Sequence, residues 1–168
     1  MPTGLKPSSS PIAVSFSLSE SAANTFTESR VDLQLNPLDN EVFVVTGVNL
    51  DPTVPSAVAG TNTEIRASLT TTSQVDAVNL SSPSCLATSV MNIQADAASL
   101  VGFTRTSEDT PTHGTEYIGI IATNDFFIQI RGNNNTAAKF LSGRMWGYRA
   151  TASSSIYAAL VQSEVLSS

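Results

Sequence analysis

The stretch Glu116 to Arg131, EYIGIIATNDFFIQIR, constrains this chain more than any other. Two runs rich in Ile, Phe and Tyr flank the short turn Ala122-Thr123-Asn124-Asp125, a pattern that predicts a β-hairpin. In the second arm Phe126, Ile128 and Ile130 alternate onto one face, and Phe127 and Gln129 onto the other. In the first arm Ile118 and Ile120 oppose Tyr117 and Ile121. Strands that are apolar on both faces are covered on both sides, so the hairpin is expected in the middle of a sandwich or barrel.

The other segments supply strands to wrap around it. Met1 to Pro11 holds three prolines, a glycine and a serine run, has almost nothing to bury, and reads as a flexible N-terminal arm. From Ile12 the pattern alternates strictly, with Val14, Phe16 and Leu18 on the same face as Ile12. A second alternating run starts at Phe26 and turns Val31, Leu33 and Leu35 inward. Asn36 to Asn40 is a turn by composition. Glu41 to Leu50 is apolar on both faces, a second interior strand in which Gly47 marks a bulge or a close approach.

Asp51 to Asn62 reads as a loop, and Thr63 to Thr72 alternates again through Ile65, Ala67 and Leu69. A short strand is expected over Val75 to Leu80. Ser81 to Ser99 fits neither period and reads either as a loop with a short helix or as an irregular edge strand. Val101 to Thr106 is a strand, Ser107 to Gly114 an exposed loop, and Gly132 to Thr136 a turn suited to left-handed backbone angles. Ala138 to Thr151 is a long strand with Arg144, Trp146 and Tyr148 on one face and Met145 on the other, beside Gly143 and Gly147. In the tail, residues 153–168, the set Ile156, Tyr157, Leu160, Val161 and Val165 forms a helical stripe or an added strand that docks. Eight or nine strands with no earlier amphipathic helix predict one all-β sandwich or barrel over residues 12–152.

Only 13% of the residues are charged, against ~25% in typical soluble domains, and Ser and Thr make up the difference. A surface poor in charge is expected where much of it is covered by other chains; a compositional habit of the lineage is the plainer explanation. The net charge of -6 and the pI near 4.5 argue against a coat that holds nucleic acid by its own charge. Four of the eight basic residues, Arg131, Lys139, Arg144 and Arg149, fall close together in sequence and form either a mildly basic face or a set of exposed strand ends.

Chemistry is sparse. The one histidine, His113, lies in an acidic loop, and the one cysteine, Cys85, has no cationic sequence neighbour, so neither a catalytic triad nor a zinc site is legible. A lone cysteine allows no intrachain disulfide. No pair of carboxylates stands out for glycosidase chemistry. Asp39-Asn40-Glu41 and Glu108-Asp109 are candidate calcium ligands, with solvated turns as the plainer reading. No catalytic residue, metal ligand or cofactor is expected. Trp146, Tyr148 and Tyr157 are the candidate subunit or ligand contacts, since paired aromatics suit a sugar platform, a core anchor or an interface. The N-terminus lacks an apolar signal region and no run reaches ~20 apolar residues, so neither secretion by its own signal nor a membrane span is expected.

The Pro-containing arm, the strand pair VDLQLNPLDNEVFVVTGVNL, the stretch EYIGIIATNDFFIQIR, the late strand GRMWGYRATA and the tail IYAALVQSEVLSS together resemble single jelly-roll virion proteins. These are the capsid proteins of icosahedral viruses and, more loosely, the decoration proteins of tailed phages. The resemblance implies a jelly-roll sandwich of about eight antiparallel strands with an extended arm. It also implies a self-assembling shell subunit without catalytic activity, located in the virion and assembled in the host cytoplasm. Its partners would be copies of itself and, if it sits on another shell, a second capsid protein. The arm departs from the pattern of genome-binding capsid proteins because it contributes only Lys6 as a basic residue. A carbohydrate-binding or receptor-binding β-sandwich module is the alternative.

Overall fold

The computed structural model describes residues 3–97, 100–106 and 116–166. Among these residues ten strands, one α-helix and a short 3-10 turn at Pro37–Asp39 follow in chain order, the strands and α-helix being β1 (Leu5–Pro7), β2 (Ile12–Ser19), β3 (Thr27–Asp32), β4 (Glu41–Pro52), β5 (Thr63–Thr70), β6 (Cys85–Ala95), β7 (Leu100–Thr106), β8 (Gly119–Ile121), β9 (Asp125–Asn133), β10 (Phe140–Ala152) and α1 (Ser154–Leu166). The first sheet has β10 at its centre, with β1 and β2 end to end along one side and β4 then β8 on the other. The second sheet runs β3-β9-β5-β6-β7, and every pairing is antiparallel. From β2 to β5, and again from β8 to β10, the chain changes sheet at each connection. That winding makes the domain a single jelly roll, a β-sandwich of two Greek keys.

The alternating strands place their apolar sets between the sheets. Phe16, Phe43, Val48, Leu50, Leu141 and Met145 of the first sheet meet Ile65, Ala67, Leu69, Phe126, Ile128 and Ile130 of the second. The rings of Phe16 and Phe126 cross edge to face at 5.8 Å. On β10 the small residues flanking Met145 have a packing reason, since a Cβ at Gly143 would lie 2.5 Å from the Phe16 ring, and one at Gly147 would lie 2.5 Å from that of Phe43. The bulge expected at Gly47 is present: Trp146 pairs with Gly47 but Gly147 pairs with Val45, leaving Thr46 unmatched. The extra residue explains the pattern of β4, in which inward positions run Phe43 and Val45 and then shift to Val48 and Leu50.

The apolar outward positions of the first sheet form a second core. Val42, Val44, Ala150 and Ala152 are covered by Ile156, Tyr157, Leu160 and Val161 of α1, so the docking tail is a helix. Val165, the remaining member of the predicted stripe, is exposed. The N-terminal segment differs from the expected free arm. It is extended, but β1 pairs with β10 and Leu5 is buried in this second core. Gly4 adopts φ +84°, and a Cβ there would overlap Ile156.

The predicted hairpin is a bend between sheets. β8 pairs with β4 at the rim of the first sheet, whereas β9 lies between β3 and β5 in the second. The bend's polar groups bond elsewhere than across a hairpin ladder. Leu33 N donates to Asn124 O at 2.9 Å, and Leu35 N to Asn124 Oδ1 at 2.5 Å. Ala122 N and Thr123 N donate to the buried Glu164 carboxylate at 2.6 and 3.1 Å, as does the Thr123 hydroxyl at 2.7 Å. β9 is nevertheless buried on both faces as its composition requires, with Phe126, Ile128, Gln129 and Ile130 fully enclosed.

Two further expectations are corrected. Residues 75–80 form no strand, and Val75 is 94% exposed. β6 starts at Cys85 and is interior rather than an edge, because it pairs with both β5 and β7. Its outward positions carry Thr88, Val90 and Asn92, which hid the two-residue period.

Ile128→Asp is expected to abolish the cooperative fold, since an unpaired charge inside this core costs several kcal/mol. Soluble protein with a wild-type melting transition would contradict the placement of β9. Glu164→Ala strips two bend amides of their acceptor and is expected to destabilise the domain by about 2 kcal/mol in chemical denaturation.

Candidate functional site

α1 covers only half of the first sheet's outer face. Past the helix, β10 presents Phe140, Ser142, Arg144 and Trp146 outward. Their cross-strand neighbours are small or polar: Ala13 and Gly47 beside Trp146, Ser15 and Asn49 beside Arg144, Ser17 and Asp51 beside Ser142. Trp146 is 39% exposed and Phe140 53% exposed. With Gly47 and Ala13 as its neighbours, the indole has no large side chain on either adjacent strand. Arg144 donates from Nε to Ser15 Oγ at 3.2 Å. Asn49, Asp51, Ser142, Arg144 and Trp146 line a shallow depression of about 240 Å³.

The three aromatics singled out from sequence are thus divided. Trp146 lies on the uncovered half, whereas Tyr148 and Tyr157 pack into the second core, one from the sheet and one from the helix. The strand period placed Trp146 and Tyr148 on one face; only the position of α1 separates their environments.

The outer face of the second sheet is closed by polar groups. Residues 71–84 cross it as a strap, held by a network centred on Gln129. That amide donates to Glu28 Oε2 at 2.9 Å and to Thr70 Oγ1 at 2.7 Å, and accepts from Ser68 Oγ at 2.7 Å. Glu28 in turn accepts from Ser73 Oγ at 2.5 Å and Gln74 N at 2.8 Å. Arg131 pairs with Asp76 on the strap. Beside it opens a cleft of about 480 Å³ lined by Glu64, Arg66, Asn79, Leu80, Val90 and Asn92. The Glu64 carboxylate, 2.5 Å from Arg66 Nε, raises the guanidinium pKa through its hydrogen bond and its charge, against the opposing effect of burial. Asn92 Oδ1 is buried with no hydrogen-bond partner among the described residues. The network was missed in the sequence; its one signal is Gln129, a carboxamide in an otherwise apolar strand interior.

The remaining candidates are placed as follows. Asp39 and Glu41 hold their own turn, Asp39 Oδ2 accepting from Asn36 Nδ2 at 2.5 Å and Glu41 Oε2 from Asn36 N at 2.8 Å. Arg131 and Arg144 stand on the outer faces of opposite sheets, and Arg149 donates to Leu33 O and Gln34 O at 2.8 and 2.9 Å, so these basic residues do not gather on one face. Cys85 is half-buried, with Sγ 3.3 Å from Ala87 O. His113, Glu108 and Asp109 lie outside the described residues. Among the described residues no three His, Cys, Asp or Glu side chains converge, and no helix is long and apolar enough to cross a membrane. No protein-family model and no curated protein matches this chain.

Gln129→Leu keeps the side chain's bulk but leaves Glu28, Ser68 and Thr70 without their shared partner. It is expected to cost about 2 kcal/mol and to speed amide exchange across residues 71–84 well beyond that of β9. Unchanged exchange in the strap would mean that the network does not hold it.

Proposed function

We propose that this chain is a structural virion protein that packs against copies of itself in a capsid shell and performs no catalytic step. The observation that carries this reading is the uncovered half of the first sheet's outer face. It is shallow, half of it Ala, Ser and Gly, and bears two exposed aromatic anchors, Phe140 and Trp146, beside Arg144, Asn49 and Asp51. Interface cores are enriched in aromatic residues, as this surface is. Jelly rolls recur in viral capsid and lectin domains, so the fold is compatible with the reading but does not select it. The overall negative charge and the dispersed arginines favour protein partners over nucleic acid. A subunit decorating a preformed shell would use the same face.

A second reading has its own observation. The depression beside Trp146 places an indole face near Asn49, Asp51 and Arg144, the combination of stacking surface and hydrogen-bonding groups that a sugar ring requires.

The experiment is the solution mass by light scattering with negative-stain imaging of the same sample. Multimers or closed particles are expected. Phe140→Ser/Trp146→Ser should lower the mass without unfolding the protein, because both aromatics lie outside the two cores, and each anchor is worth about 2 kcal/mol of association. A monomer that binds preformed capsids would assign the decoration role. A monomer that binds glycans with quenching of Trp146 fluorescence would overturn the shell reading in favour of the second.

A further inference from the structure

We infer that β2 is a self-complementary pairing edge, joined antiparallel to β2 of a second copy about a two-fold axis through Phe16. This deepens the assembly reading and rests on it. Among the described residues β2 pairs on one side only, with β10. The direction of its free groups follows from the ladder. Glu20 N donates to Lys139 O at 2.9 Å, and the register runs without a shift from Ser19 to Ile12. Even-numbered residues therefore bond to β10, and the N–H and C=O groups of Ala13, Ser15, Ser17 and Ser19 point away from the sheet. All four residues are exposed.

Sheet edges left unpaired are normally blunted by charge, proline, bulges or shortness. The other described edges show such devices. β8 has three residues, β1 contains Lys6 and Pro7, β3 alternates Glu28, Arg30 and Asp32, and β7 carries Gly102 and Arg105. β2, IAVSFSLS, has eight residues with no charge, proline, glycine or bulge. A long unprotected edge is retained where it is covered in the working state.

The sequence of β2 suits a second copy. With the axis through Phe16, Ser15 faces Ser17 and Ala13 faces Ser19 on the outer surface, while Val14 faces Leu18 on the inner one. Each of the four outward residues offers one N–H and one C=O, so this register satisfies them all with about eight interchain hydrogen bonds. On the outer face of this sheet the like charges nearest the axis, the two Arg144 side chains, are then three strand spacings apart, at least about 14 Å and beyond the screening length at physiological salt. The Ser and Ala side chains of the edge add no charge to the outer face.

The test uses the full chain. In the assembled protein, amide exchange at Ala13, Ser15, Ser17 and Ser19 should be slow although no strand among the described residues pairs with them, and fast in a dilute monomeric sample. Ser17→Pro removes one outward N–H and the Ser17 hydroxyl while leaving the bonds to β10 and the other surface side chains in place. It should lower the solution mass at least two-fold with unchanged circular dichroism. Ser15→Lys/Ser17→Lys, which sets like charges across the axis, should do the same and serves if the proline variant misfolds. Fast exchange of these amides in wild-type assemblies, or wild-type mass in the lysine variant, overturns the edge pairing and leaves the assembly reading standing. A wild-type protein that stays monomeric at all concentrations overturns both.

Discussion

The rest of this structure depends on the first sheet being apolar on both faces. β4 and β10 each send one set of side chains into the sandwich and another, with Val42, Val44, Ala150 and Ala152, outward. Leaving that second set in water would forgo roughly 25 cal/mol for each Å² of apolar surface. Covering it recruits both ends of the chain: Leu5 extends the sheet edge, and α1 lies across the small alanines, which let a helix approach closely. The same helix carries Glu164 to the bend between β8 and β9, where it satisfies backbone groups that no strand can reach. A jelly roll needs such a bend because β8 and β9 belong to different sheets. Fold topology and tail docking are therefore one solution rather than two.

The two outer faces are treated differently, and the difference bears on function. The second sheet covers its own face with the strap, using a carboxamide, a carboxylate and hydroxyls in place of aliphatic packing. The first sheet covers part of its face with α1 and leaves the rest shallow, with Arg144 and Asp51 as its charged side chains, and bordered by the open edge of β2. A low-charge surface becomes informative when mapped in this way. In the proposed assembly the small serine and alanine side chains of β2 bring no charge to a neighbouring copy, and Trp146 and Phe140 would supply anchors.

Much of the fold is legible in the amino-acid order, for a local reason. Alternation in Ile12 to Leu18, in Thr63 to Leu69 and in Phe126 to Ile130 fixes which side chains point together, because a strand's geometry imposes a period of two wherever it lies. The two-faced composition of β4 and β9 correctly marked both as interior strands, and Gly47 marked the bulge. The same rule put Trp146 on the face opposite Met145, although which of the two faces points outward was not legible.

The misreadings share one cause. EYIGIIATNDFFIQIR has the composition of a hairpin, yet whether its arms pair with each other or with strands far away in sequence depends on acceptors at Glu164 and on donors at Leu33 and Leu35. The proline-rich arm looked unpaired because β1 spans only three residues and Leu5 is its one buried side chain. β6 looked irregular because its outward face meets the polar strap rather than solvent. Side-chain alternation was enough for a chain of strands, the inward sets of β2, β3 and β5 and a docking tail. Only the tertiary structure decided which strands are neighbours, which face the tail covers and which edge stays open. Pairing partners are chosen by backbone groups that every residue shares, so side-chain patterns cannot name them.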